Sequence, residues 1–360
     1  MKHLLDETDW LRQDRPMESL FESLGVAEAW VALACPLLLL LLGLIPSAVA
    51  NRQPNRMGRV AERIAWLLVG LAVVVAVFVG LEGRIVHSFV EVKFAGGFEL
   101  ALGVYVDAVS AVMLLLVSFL GAIVMRYSRN YLAGDPQQGR FFKWLCLTTG
   151  SVLLLTIAGN LVVFALAWIS TSLCLHQLLV FYPEREAAQI SARKKFIISR
   201  LGDVCLISAI VLLYRVFGSL DFADLFAGAA MVEPGAAWVG AVFLIVGGAL
   251  LKSAQFPFHT WLPDTMETPT PVSALMHAGI INAGGFLIIR LSPLVAAVPS
   301  ALDTLAIVGG VTALFASVVM LTQTSVKRSL AYSTVAQMGF MMLQCGLGAF
   351  AIALLHIVAH

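Results

Sequence analysis

The chain reads as an all-α polytopic membrane protein, a bundle of transmembrane helices. Of its 360 residues, 60% are hydrophobic and only 12% are charged. Its mean hydropathy is +0.91. Uncharged apolar runs of about eighteen residues or more recur along the whole length, enough to cross a hydrocarbon core of about 30 Å. That composition excludes a soluble domain. The net charge of +1 offers no bulk attraction to nucleic acid.

Residues 1–26 come first and are acidic, with Asp6, Glu7, Asp9, Asp14, Glu18 and Glu22. They lack an early apolar core, so they are not a secretory signal. Two readings stay open: a solvated tail, or an amphipathic helix with Leu4, Leu5, Trp10, Leu11, Leu20, Phe21 and Leu24 on its apolar side. Residues 27–360 form the transmembrane domain. Hydropathy places spans at about 28–50, 63–81, 103–125, 143–160, 161–182, 196–217, 236–256, 272–290, 303–323 and 332–349. An eleventh begins near 350. The chain stops inside AFAIALLHIVAH with no charged flank, so this last span is expected to be truncated. Cys35, Cys146, Cys174, Cys205 and Cys345 lie in or beside apolar runs without CxxC spacing and are expected to be buried thiols.

Loop charge then orients the spans. Basic residues crowd segments 51–63, 126–143, 183–195 and 324–329, and are sparse at 82–102, 158–162 and 215–235. In a bacterial inner membrane this places the N-terminus on the periplasmic side. One loop on the cytoplasmic side, 257–271, has no Lys or Arg.

Few polar groups enter the spans. Lys252 ends the run AAWVGAVFLIVGGALL, five residues before Pro257, and Pro269 and Pro271 follow. A lysine near mid-membrane costs about 2.5–3.5 kcal/mol on insertion scales, and such residues mark ion or proton routes. Pro257 has no N–H, so the Ser253 carbonyl loses its helical partner, and Gly247 and Gly248 are expected to loosen the preceding turn. A broken helix with Lys252 in a hydrated pocket is the expectation. Asp203 lies three residues after Arg200, on the same helical face, and the two are expected to pair. Asp107, near the start of the third span, reads as an interface residue, and so does His176. His277 lies far enough past Pro271 to face the interior, where an imidazole suits proton relay. His356 and His360 share a helical face at i and i+4. No carboxylate or cysteine accompanies them, so a relay pair or a hydrogen-bonded structural pair fits better than a metal site.

These residues carry a family resemblance. LLKSAQFPFHTWLPDTMETPTPVSALMHAGIINAGGFLIIR resembles the central signature of the proton-translocating, antiporter-like membrane subunits. These include subunit 5 of respiratory complex I and the large subunit of multi-subunit sodium/proton antiporters. SVKRSLAYSTVAQMGFM, KFIISRLGDVCL and RFFKWLCLTTGSVLLLTIAGNLVVFALAW are similar to further segments in the same order, from about residue 103 onward. The resemblance implies inverted repeats of five helices with discontinuous helices at mid-membrane. It implies Lys252 as the central proton carrier, His277 as the next relay position, and His356 and His360 leading onward. Respiratory members carry Trp-Glu where this chain has Trp168-Ile169, and that glutamate pairs with the lysine. Asp203 is the candidate substitute.

The pattern from Trp168 to Pro183 resembles a subgroup, the DabB membrane subunits of inorganic-carbon accumulation complexes. The implied partner is DabA, a zinc protein resembling β-carbonic anhydrase, in which ion flow drives CO2 hydration to bicarbonate. The zinc belongs to that partner; no cofactor and no enzymatic chemistry are expected in this chain. A membrane subunit of complex I or a related redox complex, a cation/proton antiporter subunit, and a passive anchor for a peripheral enzyme are the alternatives.

Overall fold

The long apolar runs become helices because lipid leaves no other partner for the backbone. A computed structural model describes residues 15–93 and 99–360. In order it has α1 (Arg15–Gly43), α2 (Ser47–Arg52), α3 (Pro54–Glu82), the strands β1 (Ile85–Lys93) and β2 (Glu99–Val106), α4 (Ala108–Tyr131), α5 (Gln138–Ile157), α6 (Leu161–Leu179), α7 (Glu186–Phe217), α8 (Phe222–Ala229) and α9 (Ala236–Lys252). There follow α10 (Trp261–Asp264), α11 (Thr270–Leu275), a π-helical turn (Met276–Ile280), α12 (Ala283–Arg290), α13 (Ser292–Ala296), α14 (Pro299–Leu321), α15 (Val326–Gly346) and α16 (Phe350–Ala359). Among the described residues, seven helices are long and apolar enough to cross a membrane. α1 passes through the boundary drawn at residue 26. Leu4, Leu5, Trp10 and Leu11 lie outside the described residues, as do the side chains of Leu20, Phe21 and Leu24.

Two expectations need correction. The third span does not begin at 103: residues 99–106 are a strand, and α4 starts after its N-cap, Asp107. The preceding loop is an antiparallel hairpin, β1 on β2, with an irregularity between Ser88 and Val90. The cysteines are free as expected, four buried and Cys205 half-buried.

Outward faces carry large apolar side chains, as lipid requires. On α7, Ile197, Leu201, Val204, Ile207 and Val211 are exposed at helical spacing, while Ala188, Ala192, Lys195, Ser199, Asp203 and Leu206 are buried on the opposite side. α14 and α15 meet along glycines: a Cβ at Gly309, Gly339 or Gly346 would overlap the facing backbone. Such small-residue seams let membrane helices approach closely.

Hydrogen bonds sort the connections onto two ends of the bundle. At one end, Asn51 accepts from the Arg140 backbone at 2.7 Å and Tyr182 donates to Asp135 at 2.9 Å. Burial, then the bond to that carboxylate, pushes the Tyr182 phenol up to about 12. The segment lacking basic residues lies at this end and borrows them: Lys194 pairs with Asp264 at 2.6 Å, Arg185 donates to the Glu267 carbonyl at 3.3 Å, and Lys327 to the Met266 carbonyl at 3.4 Å. At the other end, the Gly159 N–H donates to Gly103 and the Phe222 N–H to Gly159, both at 3.1 Å. Asn160 caps α6 and its amide donates to the Ala101 carbonyl. The basic-rich segments thus share one face, and the hairpin, α8 and α13 share the other.

Asp107 is more than an interface residue. Its Oδ1 accepts from the Ser110 N–H at 2.9 Å, and its Oδ2 pairs at 2.9 Å with Arg290, which is 4% exposed. Arg290 also donates to Ser110 and lies over Tyr105, Phe222 and Phe286. It pins the end of α12 to α4 and the hairpin. Asp107→Asn keeps the cap but leaves a buried guanidinium uncompensated, so we expect a loss of about 3 kcal/mol, read as a lower thermal-unfolding midpoint in detergent. Lys194→Ala, at an exposed pair, should cost less than about 1 kcal/mol.

Candidate ion-translocation site

α9 reaches Lys252 as a regular helix, and its glycines do a different job from the one expected. Gly248 lies against Gly202 of α7, and a Cβ on Gly248 would stand 3.2 Å from the Gly202 carbonyl. The contact brings the end of α9 up to the part of α7 that carries Arg200 and Asp203. α12 presses from another side, where a Cβ at Gly284 would overlap the Ala249 carbonyl.

The helix then stops at a defined cap. Ala254 has φ +50°, in the left-handed region that L-residues other than glycine avoid. The Gln255 N–H closes on the Leu250 carbonyl at 3.1 Å. The Ser253 carbonyl, which Pro257 cannot serve, accepts from the Gln255 side chain at 3.0 Å. The Phe256 N–H donates to Thr312 of α14 at 3.0 Å. Pro257 lies within the break, whereas Pro269 is the N-cap of α11 and Pro271 is in its first turn. Those two prolines start the next helix instead of ending α9.

Lys252 is 4% exposed and its Nζ has no hydrogen-bond partner among the described residues. It stands 4.4 Å above the ring of Trp168, in cation–π range. The indole N–H of Trp168 donates to Asp203 Oδ1 at 3.0 Å. Asp203 Oδ2 lies 2.7 Å from Arg200 Nη2, so the expected i,i+3 pair is present, close but not aligned as a hydrogen bond. Trp168 therefore bridges the two charges, with the ammonium on its face and the carboxylate at its edge. Ile169 is half-buried and packs against the apolar core. Asp203 and Lys252 thus meet on the same tryptophan without a direct contact.

The histidines form a second group. His277 sits in the π-helical turn, half-buried; such turns widen a helix and recur at functional sites. The ionisable group that bears on it is His360. His356 is held at both ring nitrogens: Nε2 is 3.0 Å from Gln337 Oε1, and Nδ1 is 3.2 Å from the Gln344 amide nitrogen. That pattern fits a neutral ring with its proton on Nε2, a tautomer assigned from the partners. His356 and His360 line a cavity of about 220 Å³ with Gln337 and Ala359. Among the described residues no group of His, Cys, Asp and Glu could hold a metal ion.

Sequence reasoning missed several polar groups. His259 is buried in the break beside Phe256, Phe315 and Tyr332. Lys195, counted among loop charges, is buried inside α7. Its spacing from Ala188, Ala192 and Ser199 places it on the small-residue face, which was the available signal.

A buried lysine ending a broken membrane helix, joined through Trp168 to a buried aspartate, fits an ion-translocating class of membrane subunit. Residues 158–360 match the family model described as NADH:quinone oxidoreductase/Mrp antiporter, TM, and residues 92–142 match that of complex I chain 5 N-terminus. The chain belongs to the first of these families. It is 50% identical over 267 residues to the protein named "Probable inorganic carbon transporter subunit DabB2" of Halothiobacillus neapolitanus, covering 74% of this chain and 48% of that one. It is 40% identical to the corresponding DabB subunit of Hydrogenovibrio crunogenus, covering 92% and 62%. It is 36% identical to NADH-quinone oxidoreductase subunit L of Mycobacterium tuberculosis, covering 94% and 54%. The chain thus spans about half the length of these relatives. The solved Mrp complex of a Dietzia species superposes with a TM-score of 0.77 at 29% identity, over 90% of this chain and 36% of that one. An archaeal membrane-bound sulfane sulfur reductase shares the fold, with a TM-score of 0.75 at 20% identity, over 89% of this chain and 67% of that one.

Trp168→Phe removes the donor to Asp203 and keeps a ring under Lys252, so we expect a cost of about 1.5–3 kcal/mol in detergent unfolding. Trp168→Leu should cost more, because the ammonium also loses its aromatic face. Ala254→Gly relieves the left-handed strain and should raise stability by about 1 kcal/mol, measured in the same way.

Proposed function

We propose that this chain is the proton-translocating membrane subunit of an energy-coupled inorganic-carbon uptake complex. Lys252 carries the proton, Asp203 is its counter-charge, and His277, His356 and His360 continue the route. The observation that carries this reading is the Lys252–Trp168–Asp203 arrangement at the end of the broken α9. A lysine there holds a charge it can release; an ordinary structural lysine has no reason to end a membrane helix unpaired. The carbon-specific part rests on the DabB relatives and on Ile169, which removes the acid that the respiratory pattern places beside the tryptophan. The partner in this reading is the DabA-like zinc protein resembling β-carbonic anhydrase, with the zinc and the hydration chemistry on its side. The basic-rich face is cytoplasmic and the N-terminus periplasmic in a bacterial inner membrane.

A membrane-arm role in a redox complex is the second reading, favoured by the subunit L relative. It requires co-purification with iron–sulfur or quinone-reactive subunits.

The test is rescue of growth in air of a carbonic-anhydrase-deficient host by the subunit with its zinc partner. We expect Lys252→Ala to lose rescue at unchanged membrane levels, and an uncoupler to abolish carbon accumulation by the wild type. Rescue that survives Lys252→Ala contradicts the proton role, and accumulation that survives the uncoupler favours an anchor.

A further inference from the structure

Lys195 lies on the buried face of α7 at 2% exposure. Its ammonium donates to the Ser172 carbonyl at 3.0 Å and to the Ser172 hydroxyl at 2.8 Å. Neither partner is charged. Ser172 is one turn past Trp168 on α6, so the same α6–α7 seam holds Asp203 with Trp168 and Lys195 with Ser172. Eight residues separate Lys195 from Asp203, about 12 Å along the helix, towards the basic-rich face. The other ionisable groups that bear on Lys195 are Lys252 from α9, Arg200 and Asp203 from α7, and Cys174 and His176 from α6.

Lys195, Lys252 and Arg200 therefore share one carboxylate, Asp203. Arg200 does not release its proton. With both lysines charged, two positive charges would be buried without compensation, and such charges are costly in a low-dielectric seam. With one proton between the lysines, a single excess charge remains. Ser172 suits either state: its hydroxyl accepts from an ammonium and donates to a neutral amine, while its carbonyl accepts from both.

We propose that Lys195 and Lys252 are an alternating pair holding one proton between them, with Lys195 the position through which Lys252 exchanges with the basic-rich face. Each transfer breaks one N–H on the donor amine and forms one on the other, so the charge of the pair is unchanged. This rests on the reading of Lys252 as the proton carrier.

The test reconstitutes the full-length subunit with its partner in liposomes and follows interior pH under a potassium diffusion potential. Lys195→Gln can still donate to Ser172 but cannot carry a proton. It should cut proton flux at least tenfold while the unfolding midpoint stays within a few degrees. Lys195→Arg, charged but unable to release its proton, should fail equally, whereas a purely structural cation would be rescued by it. Lys194→Gln, at the exposed neighbour, should stay within twofold of wild type. Flux retained in Lys195→Gln but lost in Lys252→Gln overturns the alternating pair alone; flux retained in both overturns the underlying reading. If neither Lys195 variant assembles, solid-state 15N NMR of the wild-type lysine amines decides. One neutral amine in the pair at neutral pH supports alternation, and two ammonium signals throughout overturn it.

Discussion

The site depends on one aromatic ring. Trp168 offers its face to Lys252 and its N–H to Asp203, and so keeps opposite charges near each other without a direct bond. A direct ion pair would be satisfied and would hold its proton. A cation over a π-face is attracted more weakly and keeps its N–H groups uncommitted. The arrangement survives because α9 is brought to α7 at Gly202 and Gly248, and because Ala254, Gln255 and Thr312 end α9 at Lys252.

The outer clamp serves the same end. Arg290 and Asp107 fix α12 to α4 and the hairpin, while the Asn160 and Gly159 contacts fix the start of α6. Helices that carry Trp168 and support α9 are thereby held at one end, and the basic-rich face is tied at the other by Tyr182, Lys194 and Lys327. The break in the middle is left to its own cap. Strain at Ala254 stands where the proposed charge movement occurs, in keeping with strained backbone concentrating at functional sites.

Much of the bundle was legible because lipid imposes a simple rule on backbone polar groups, and long apolar runs obey it. Lys252 and the Arg200–Asp203 pair were readable because charges inside such runs are rare. The hairpin at 85–106 was not, because a two-stranded element outside the bilayer carries a weak alternating pattern that looks like a loop. Lys195 was hidden by its neighbours: in ARKK it reads as one more solvated charge, and only the length of α7 turns it inward. The cap at Ala254 has no sequence signature, since the residue that adopts the left-handed conformation is not glycine. Pro257 pointed to the right segment and the right carbonyl, that of Ser253, but not to Gln255 as the group that serves it.

The most direct measurement of the central claim is proton flux through the reconstituted complex carrying Lys252→Arg. Arginine keeps a positive charge over Trp168 and near Asp203, yet holds its proton at every accessible pH. The account predicts an assembled complex with no proton flux. Flux near the wild-type level would contradict it, because Lys252 would then be a fixed charge and the proton would travel elsewhere.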